Sequence, residues 1–154
     1  MSSDAPTTQE LIEMIRQGAM RGGGTVVDGP AGIDQLADLL QQNVQPDFVT
    51  VMVSESAGSQ EFRGIEGFKE ALHDWISPYE SFRLEIEEAI VSADKLVFLA
   101  RQVATTRHDG VEVETESASV WWAQDGQIRQ VAFYLDRRAG LEAAGIDPDH
   151  RFSE

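Results

Sequence analysis

The residues with the clearest chemical potential are an arginine and a glutamate on two neighbouring extended segments. Arg101 lies in the segment 95–107 and Glu116 in the segment 111–124. The expected strand pairing places Glu116 on the diagonal from Arg101, within reach of side chains of this length. A carboxylate held by a guanidinium can act as a general base or orient a water molecule. The alternative interpretation is a salt bridge that satisfies a half-buried arginine near a barrel rim.

His73 is the third candidate for acid–base chemistry. It stands in a predicted helix whose inward stripe is already supplied by Leu72 and Trp75. It is therefore either an acid–base residue at the rim of a pocket or part of a solvated helix surface. The other two histidines, His108 and His150, lie in a turn and in the C-terminal tail, so the sequence predicts no metal site.

Several aromatic residues are candidates for holding a ligand. Trp75, Trp122 and Phe133 can stack on an apolar molecule, although such side chains also serve simply as core. Tyr79 follows Pro78, and it either covers a pocket mouth or anchors a loop.

A helical first part and a strand-rich second part position these residues. Apolar side chains at helical spacing predict helices that begin near Thr8 and Pro30, a third over 65–76 and a fourth over 137–144. Residues 25–29 are expected to form a connector. Extended runs predict strands over 48–53, 61–63, 82–91, 95–107, 111–124 and 127–136.

Two Asp-Gly pairs determine the expected register of the last three strands. Asp109-Gly110 and Asp125-Gly126 lie between extended runs, and Asp-Gly favours two-residue turns of type I′. With such turns Arg101 lies opposite Ala118, and Ala118 lies opposite Phe133. A β-bulge would exchange the two faces beyond it.

The register assigns two faces to the sheet, and both are largely apolar, so both are expected to be covered. The first face is predicted to carry Leu99, Arg101, Val103, Glu116, Ala118, Val120, Trp122 and Phe133. The second face is predicted to form a flat homodimer interface from Phe98, Ser117, Ser119, Trp121, Ala132 and Tyr134.

Composition and charge exclude several classes of function. The chain has 154 residues, a formal net charge of −15 and no cysteine. The acidic balance disfavours nucleic acids and anionic membranes, and the lack of cysteine excludes disulfides and thiolate chemistry. No apolar run reaches the roughly 20 residues of a membrane span, and no signal peptide is recognised. We expect a cytoplasmic protein with a single domain over 8–146, between tails 1–7 and 147–154.

Five short motifs follow one another in an order typical of a known family. They are Pro46–Val49, Arg63–Phe68, Asp125–Ile128, Tyr134–Asp136 and Leu141–Gly145. With the order of elements around them, they resemble the SnoaL-like branch of the nuclear-transport-factor-two-like superfamily. The resemblance implies an α+β fold, a conical barrel in which a strongly curved, mostly antiparallel sheet wraps around N-terminal helices, with a short C-terminal helix. It also implies a pocket between helices and sheet, and often a dimer through the outer face of the sheet.

Two enzymes of that superfamily have acids at positions that are apolar in this chain. Val103 and Phe133 stand where limonene epoxide hydrolase has aspartates, and Met52 and Ala118 stand where ketosteroid isomerase has acids. Neither mechanism is therefore expected. In those relatives, positions 101, 103, 118 and 133 face the pocket, which implies that the first face of the sheet is the pocket wall.

These observations predict a SnoaL-like protein that binds a small, largely apolar molecule without a cofactor. The predicted pocket lining consists of Leu99, Val103, Ala118, Val120, Trp122, Phe133, Trp75 and Tyr79. If the protein is an enzyme, we expect acid–base chemistry of a lyase, isomerase or hydrolase, as in polyketide cyclases, carried by Arg101, Glu116 and His73. The alternative is a non-enzymatic ligand sensor, or a dimeric scaffold whose barrel is filled by its own side chains.

Overall fold

A computed structural model describes residues 7–20, 25–54, 58–92 and 94–146. Within these residues the helices are α1 (Thr8–Met20), α2 (Gly29–Leu40), α3 (Gly64–Ile76) and α4 (Arg137–Ala143). The strands are β1 (Thr25–Asp28), β2 (Val44–Ser54), β3 (Gly58–Arg63), β4 (Tyr79–Ser92), β5 (Lys95–Thr106), β6 (Glu112–Gln124) and β7 (Gln127–Tyr134). Apart from Thr7, the predicted tails lie outside the described residues.

The strands form one sheet in the order β1-β4-β5-β6-β7-β2-β3. Strands β2 and β7 run parallel, and every other neighbouring pair is antiparallel. Helices α1, α2 and α3 pack on one face, called here the inner face, and α4 packs on the opposite, outer face. The predicted α+β barrel, with a mostly antiparallel sheet around helices and a short C-terminal helix, is confirmed.

The inner face carries the larger of two hydrophobic clusters. Leu11 of α1, Ile33 of α2 and Phe68 of α3 are fully buried there, and Leu96 and Trp121 of the sheet are buried beside them. Burying an apolar side chain of this size stabilises a fold by about 1.5–3 kcal/mol. The three helices are therefore held on the sheet mainly by apolar burial.

The outer face carries a smaller cluster beneath α4. Leu141 of α4 is fully buried against Val97 and Val120. A Cβ atom built at Gly140 would lie 2.7 Å from the Cβ atom of Ala118. The close approach of α4 to β6 therefore requires glycine at this position.

The β6–β7 hairpin has the turn that its Asp-Gly pair predicts. Asp125 and Gly126 have positive φ angles of 56° and 76°, as a type I′ turn requires. Gln124 pairs with Gln127 on either side of the turn.

The β5–β6 hairpin departs from the predicted two-residue turn. The backbone N–H of Thr106 donates to the carbonyl of Val111 over 2.9 Å, which leaves residues 107–110 as the loop. The side chain of Thr106 also donates to the carboxylate of Asp109. The register is consequently shifted by two residues, and Arg101 lies directly opposite Glu116. A shift of two leaves every side chain on its own face.

A β-bulge in the β6–β7 hairpin has a larger effect. Ala123 pairs with Ile128, but Trp122 pairs with Gln130, so Arg129 is an extra residue on β7. Because side chains alternate along a strand, one extra residue exchanges the two faces of β7 beyond this point.

The bulge places Phe133 on the inner face and Tyr134 on the outer face. Phe133 lies beside Ser119, and Tyr134 lies beside Ala118. The predicted pairing of Ala118 with Phe133 is therefore wrong, because the hairpin was assumed to contain no bulge.

Both edge strands of the sheet depart from the sequence prediction. β1 occupies residues expected to form a connector and pairs with β4, and β3 starts at Gly58, earlier than the predicted strand 61–63. In the described part of the chain, no helix is both long enough and apolar enough to cross a membrane.

Candidate functional site

A cavity of about 390 Å³ lies between the helices and the inner face of the sheet. Helices α1, α2 and α3 and strands β4, β5, β6 and β7 all contribute to its wall. The lining consists of Met14, Ile15, Ile33, Gln35, Leu36, Leu39, Leu40, Asn43, Leu72, Trp75, Ile76, Phe82, Leu84, Ile86, Phe98, Ser119, Trp121 and Phe133.

The apolar stripes of the helices and the alternation of the strands produce this wall. Leu72 and Ile76 are four residues apart and therefore lie on one side of α3. Phe82, Leu84 and Ile86 alternate along β4 and are buried, with exposed fractions of 4%, 7% and 7%. Both patterns direct side chains toward the same enclosed volume.

Aromatic rings surround the sheet side of the cavity. The ring centroid of Trp121 lies 6.3 Å from those of Phe98 and Phe133, in edge-to-face geometry with both rings. The ring of Trp75 lies 5.5 Å from those of Phe82 and Phe133. Such an aromatic wall favours an apolar or planar ligand.

The polar groups of the lining are few and uncharged. Trp121 donates its indole N–H to the hydroxyl of Ser119 over 2.9 Å. The Ser119 hydroxyl can still donate its own hydrogen. The side-chain amides of Gln35 and Asn43 and the indole N–H of Trp75 are the other polar side-chain groups of the lining. No ionisable side chain belongs to the lining formed by the described residues.

Exposed apolar side chains mark the mouth of the cavity. Met14 of α1 is 54% exposed and Leu39 of α2 is 73% exposed, and both also line the cavity. Large apolar side chains with this exposure suit a surface that a ligand crosses on entry.

The structure places the residues predicted as pocket lining in different parts of the fold. Phe133 and Trp75 line the cavity. Tyr79 packs against the rim of the inner cluster, 6.0 Å from the ring of Phe82, and its backbone carbonyl accepts a hydrogen bond from Arg107. Tyr79 thus anchors a loop.

The other five predicted lining residues lie on the outer face. They are Leu99, Val103, Ala118, Val120 and Trp122. Their prediction as pocket lining is wrong because the family comparison selected the wrong face of β5 and β6. The charged residues of that face, Arg101, Glu114 and Glu116, provided the signal for solvent exposure.

Arg101 and Glu116 are brought together as predicted, but outside the cavity. Their side-chain nitrogen and oxygen atoms lie 3.8 Å apart. Arg101 also donates to Glu87 over 3.0 Å and to Glu114 over 3.2 Å. The arrangement corresponds to the salt-bridge interpretation, and a catalytic role in the cavity for this pair is contradicted by its position.

Arg137 joins the same group of charges from α4. Its side chain is only 15% exposed. It forms an ion pair with Glu87 and donates to the backbone carbonyls of Ala100 over 2.7 Å and Ser117 over 3.3 Å. Arg101, Arg137, Glu87, Glu114 and Glu116 are called the outer charge cluster below.

The outer charge cluster changes the acidity of its members. The hydrogen bond from Arg137 lowers the pKa of the Glu87 carboxyl, and the hydrogen bond from Arg101 acts in the same direction against desolvation. The hydrogen bond to Glu87 raises the pKa of Arg101. Glu87 is thus held in its ionised form and is unsuited to take up a proton near neutral pH.

His73 lies outside the cavity lining as well. Its Nε2 atom is 3.2 Å from the carboxylate of Asp34, which connects α3 to α2. The side chain is 39% exposed. This placement fits the prediction of a solvated helix surface, with the addition of a contact between two helices.

The predicted homodimer interface is divided between the two faces. Phe98, Ser119 and Trp121 line the cavity, and Ser117 is buried on the same inner face. They cannot form an outer surface. Ala132 and Tyr134 do lie on the outer face, beyond the bulge. Tyr134 is partly buried there, and this burial raises the pKa of its phenol group.

Sequence reasoning missed most of the true lining, above all Phe98, Ser119 and Trp121. The signal was present in the composition of the two faces. The face containing these residues has no charged side chain along β5 and β6, apart from the terminal turns. Among the described residues, no group of three or more His, Asp or Glu side chains is arranged to hold a metal ion.

The residues 30–131 match the model of the SnoaL-like domain. This range covers α2 from its second residue, α3, strands β2 to β6 and the first five residues of β7. The fold and its enclosed cavity define a small α+β barrel of the nuclear-transport-factor-two-like class. The chain belongs to the SnoaL-like domain family.

Solved structures with the same fold share little sequence with this chain. A Jannaschia protein assigned as a SnoaL-like polyketide cyclase has a TM-score of 0.64 at 18% identity, covering 96% of this chain and 100% of the other. A Catenulispora acidiphila protein with a ketosteroid isomerase-like fold, in complex with trimethylamine, has a TM-score of 0.56 at 15% identity, with coverages of 93% and 98%. TerC, co-crystallised with polyporic acid, has a TM-score of 0.55 at 22% identity, with coverages of 75% and 92%. The comparison with curated proteins gives no significant match.

Proposed function

We propose that this protein binds a small, largely apolar molecule in the cavity between its helices and the inner face of its sheet. One observation carries the proposal: a cavity of about 390 Å³ with an aromatic and aliphatic wall and no ionisable lining side chain among the described residues. Ligand pockets typically have volumes of about 300–1,000 Å³, with apolar walls and a few polar groups.

The volume of the cavity supports ligand binding over the alternative of a filled barrel. A scaffold filled by its own side chains would be packed to the density of a protein core, with few voids larger than a water molecule. The exposed Met14 and Leu39 side chains at the mouth also favour a cavity that exchanges its contents with solvent.

The polar groups of the lining suggest how a ligand is oriented. The Ser119 hydroxyl accepts from Trp121 and retains one hydrogen to donate. A ligand with one carbonyl or ether oxygen near Ser119 would satisfy that donor, while its rings lie against Trp121 and Phe98. An anionic ligand would lose its hydration without gaining a cationic partner in this wall.

Binding without catalysis is the function we favour. Proton transfer requires a titratable group within reach of the reacting atom. The predicted acid–base residues Arg101, Glu116 and His73 lie outside the lining. The polyporic acid of TerC supports the view that the shared fold accepts an organic molecule.

Titration with a neutral fluorophore tests the proposal. N-phenyl-1-naphthylamine should bind with an increase in fluorescence, and Leu36→Trp, which fills the cavity from α2, should abolish that increase. Val111→Trp adds the same side chain at a 51% exposed position outside the lining and should retain binding. Equal binding by both variants would contradict the cavity as the site.

The homodimer is also a proposal, now through the outer face alone. Tyr134 lies there beside Gly140 of α4, and Val49 and Val51 of the neighbouring β2 are half-buried on the same face. Light scattering after size exclusion tests it: the wild type should have the mass of a dimer, and Val51→Arg should have the mass of a monomer. Gln60→Arg, on β3, is the matched control. A monomeric wild type would contradict the proposal.

A further inference from the structure

A second cavity of about 240 Å³ adjoins the first. It lies between β2, β3 and α3, at the side of the sheet remote from α1. Its lining consists of Met52, Val53, Gly58, Gln60, Phe62, Ala71, Asp74, Trp75, Phe133 and Leu135.

The two cavities share one wall. Trp75 and Phe133 line both of them, and their ring centroids are 5.5 Å apart with planes inclined by 56°. Each ring therefore borders both volumes, and Phe133 also packs against the rings of Phe68 and Trp121. Rotation of the half-buried Trp75 side chain would join the two volumes.

The second cavity differs from the first in its charge. It contains one carboxylate, that of Asp74, and the amide of Gln60, and it has no basic side chain among its described lining residues. Asp74 lies in the last turn of α3, where the helix dipole also favours positive charge. The rings of Phe62 and Trp75 also line this cavity, and aromatic rings attract cations.

We propose that the two cavities form one bipartite site, with Trp75 and Phe133 as the partition, for an elongated molecule with an apolar body and a cationic end group. The body occupies the first cavity, and an amine end group lies against Asp74 and Gln60 in the second. This inference rests on the proposed function, since the apolar body must bind first. It adds the chemistry of the end group and the position at which the ligand crosses between the cavities.

The test uses two probes of equal length, 1-aminodecane and 1-decanol, each measured by displacement of N-phenyl-1-naphthylamine. The amine should bind about threefold or more tightly than the alcohol, the size of effect given by an exposed ion pair. In Asp74→Asn the two probes should bind equally. Glu70→Gln removes one carboxylate from the same helix at an exposed position outside both linings, and it should keep the preference for the amine.

Chain length separates a bipartite site from an isolated amine site. 1-Aminobutane is too short to fill the first cavity and reach Asp74, so it should show no advantage over 1-butanol. In nuclear magnetic resonance spectra, 1-aminodecane should shift the side-chain amide signals of Gln60, and 1-decanol should shift them less.

Each failure has a distinct meaning. If 1-decanol displaces the fluorophore but 1-aminodecane binds no more tightly, or keeps its advantage in Asp74→Asn, the bipartite site is wrong and the proposed function stands. An advantage retained by 1-aminobutane would also contradict the bipartite arrangement. If neither the fluorophore nor 1-decanol binds, both the proposed function and this inference are wrong.

Discussion

The guanidinium of Arg137 donates a hydrogen bond to the backbone carbonyl of Ala100 over 2.7 Å, which ties helix α4 directly to strand β5. Ala100 lies opposite Ile86, next to the bulge that Glu87 forms on β4. Arg137 therefore satisfies a carbonyl at a point where the strand pairing is irregular, and its own charge is balanced by Glu87. A largely buried arginine thus has a structural role here.

Replacement of this arginine should destabilise the protein without affecting the cavity. Arg137→Met keeps much of the apolar stem and removes charge-assisted hydrogen bonds, so the free energy of unfolding should fall by about 1.5–3 kcal/mol. Urea denaturation measures the change. Arg138→Met is the control. The Arg138 side chain is 57% exposed, so its replacement should lower the free energy of unfolding only slightly. Equal losses in the two variants would contradict the role assigned to Arg137.

The close contact between α4 and β6 predicts that one methyl group added at Gly140 lowers the stability of the fold. Gly140→Ala should destabilise the protein by about 1–3 kcal/mol, because the new Cβ atom would lie 2.7 Å from that of Ala118. The second substitution Ala118→Gly creates room and should restore part of the loss. Thermal unfolding of both single variants and the double variant measures the coupling; additive losses would show that the two positions do not interact.

The lowered pKa of Glu87 predicts a pH dependence of stability. A carboxyl whose pKa is lower in the folded state stabilises the fold fully above its ordinary pKa of about 4.3 and loses this contribution as the pH falls through its folded-state value. Arg137 is the main cause of the shift. Glu87→Gln should therefore lose less stability than the wild type on acidification below about pH 5. Glu142→Gln, at a position 61% exposed, controls for the removal of one charge.

The Ser119 hydroxyl predicts a preference for a ligand oxygen. 9-Fluorenone and fluorene have the same ring system and differ in one carbonyl group. Ser119→Ala should lower the affinity for 9-fluorenone by about two- to tenfold, as expected for loss of one hydrogen bond. The affinity for fluorene should be nearly unchanged. Quenching of the tryptophan fluorescence reports binding, since Trp75 and Trp121 both line the cavity, and Arg101→Met should leave both affinities unchanged. A loss of affinity in Arg101→Met would contradict the position of Arg101 outside the binding site.

The sequence was sufficient for most of the fold because most elements have a strong local signal; the edge strand β1, at residues expected to form a connector, does not. The stripe of α3 around Leu72, the Asp125-Gly126 turn and the alternation along β4 each point to one structure. The cap of α1 follows the same logic: Thr7 and Glu10 exchange hydrogen bonds of 2.9 Å and 3.1 Å between side chain and backbone.

The site could not be derived with the same success, for two physical reasons. A strand with one extra residue has the same alternating pattern on either side of the insertion, so Arg129 carries no local mark of the bulge. In addition, α4 covers Val97 and Leu99 on the outer face, so both faces of β5 are apolar and hydrophobicity alone does not separate inside from outside. The charges of Arg101 and Glu116 were the better guide, because solvated charges belong on the outside.

The extra residue in β7 also affects how this chain diverges from its relatives. Gain or loss of one residue at Arg129 would move Phe133 from the cavity wall to the outer surface and bring Tyr134 inward, while the order of strands stayed the same. A lineage can thus replace the contents of its binding site by one insertion instead of many substitutions. In a comparison with a relative that lacks the extra residue, an alignment without a gap at Arg129 would therefore match the inside of one protein with the outside of the other.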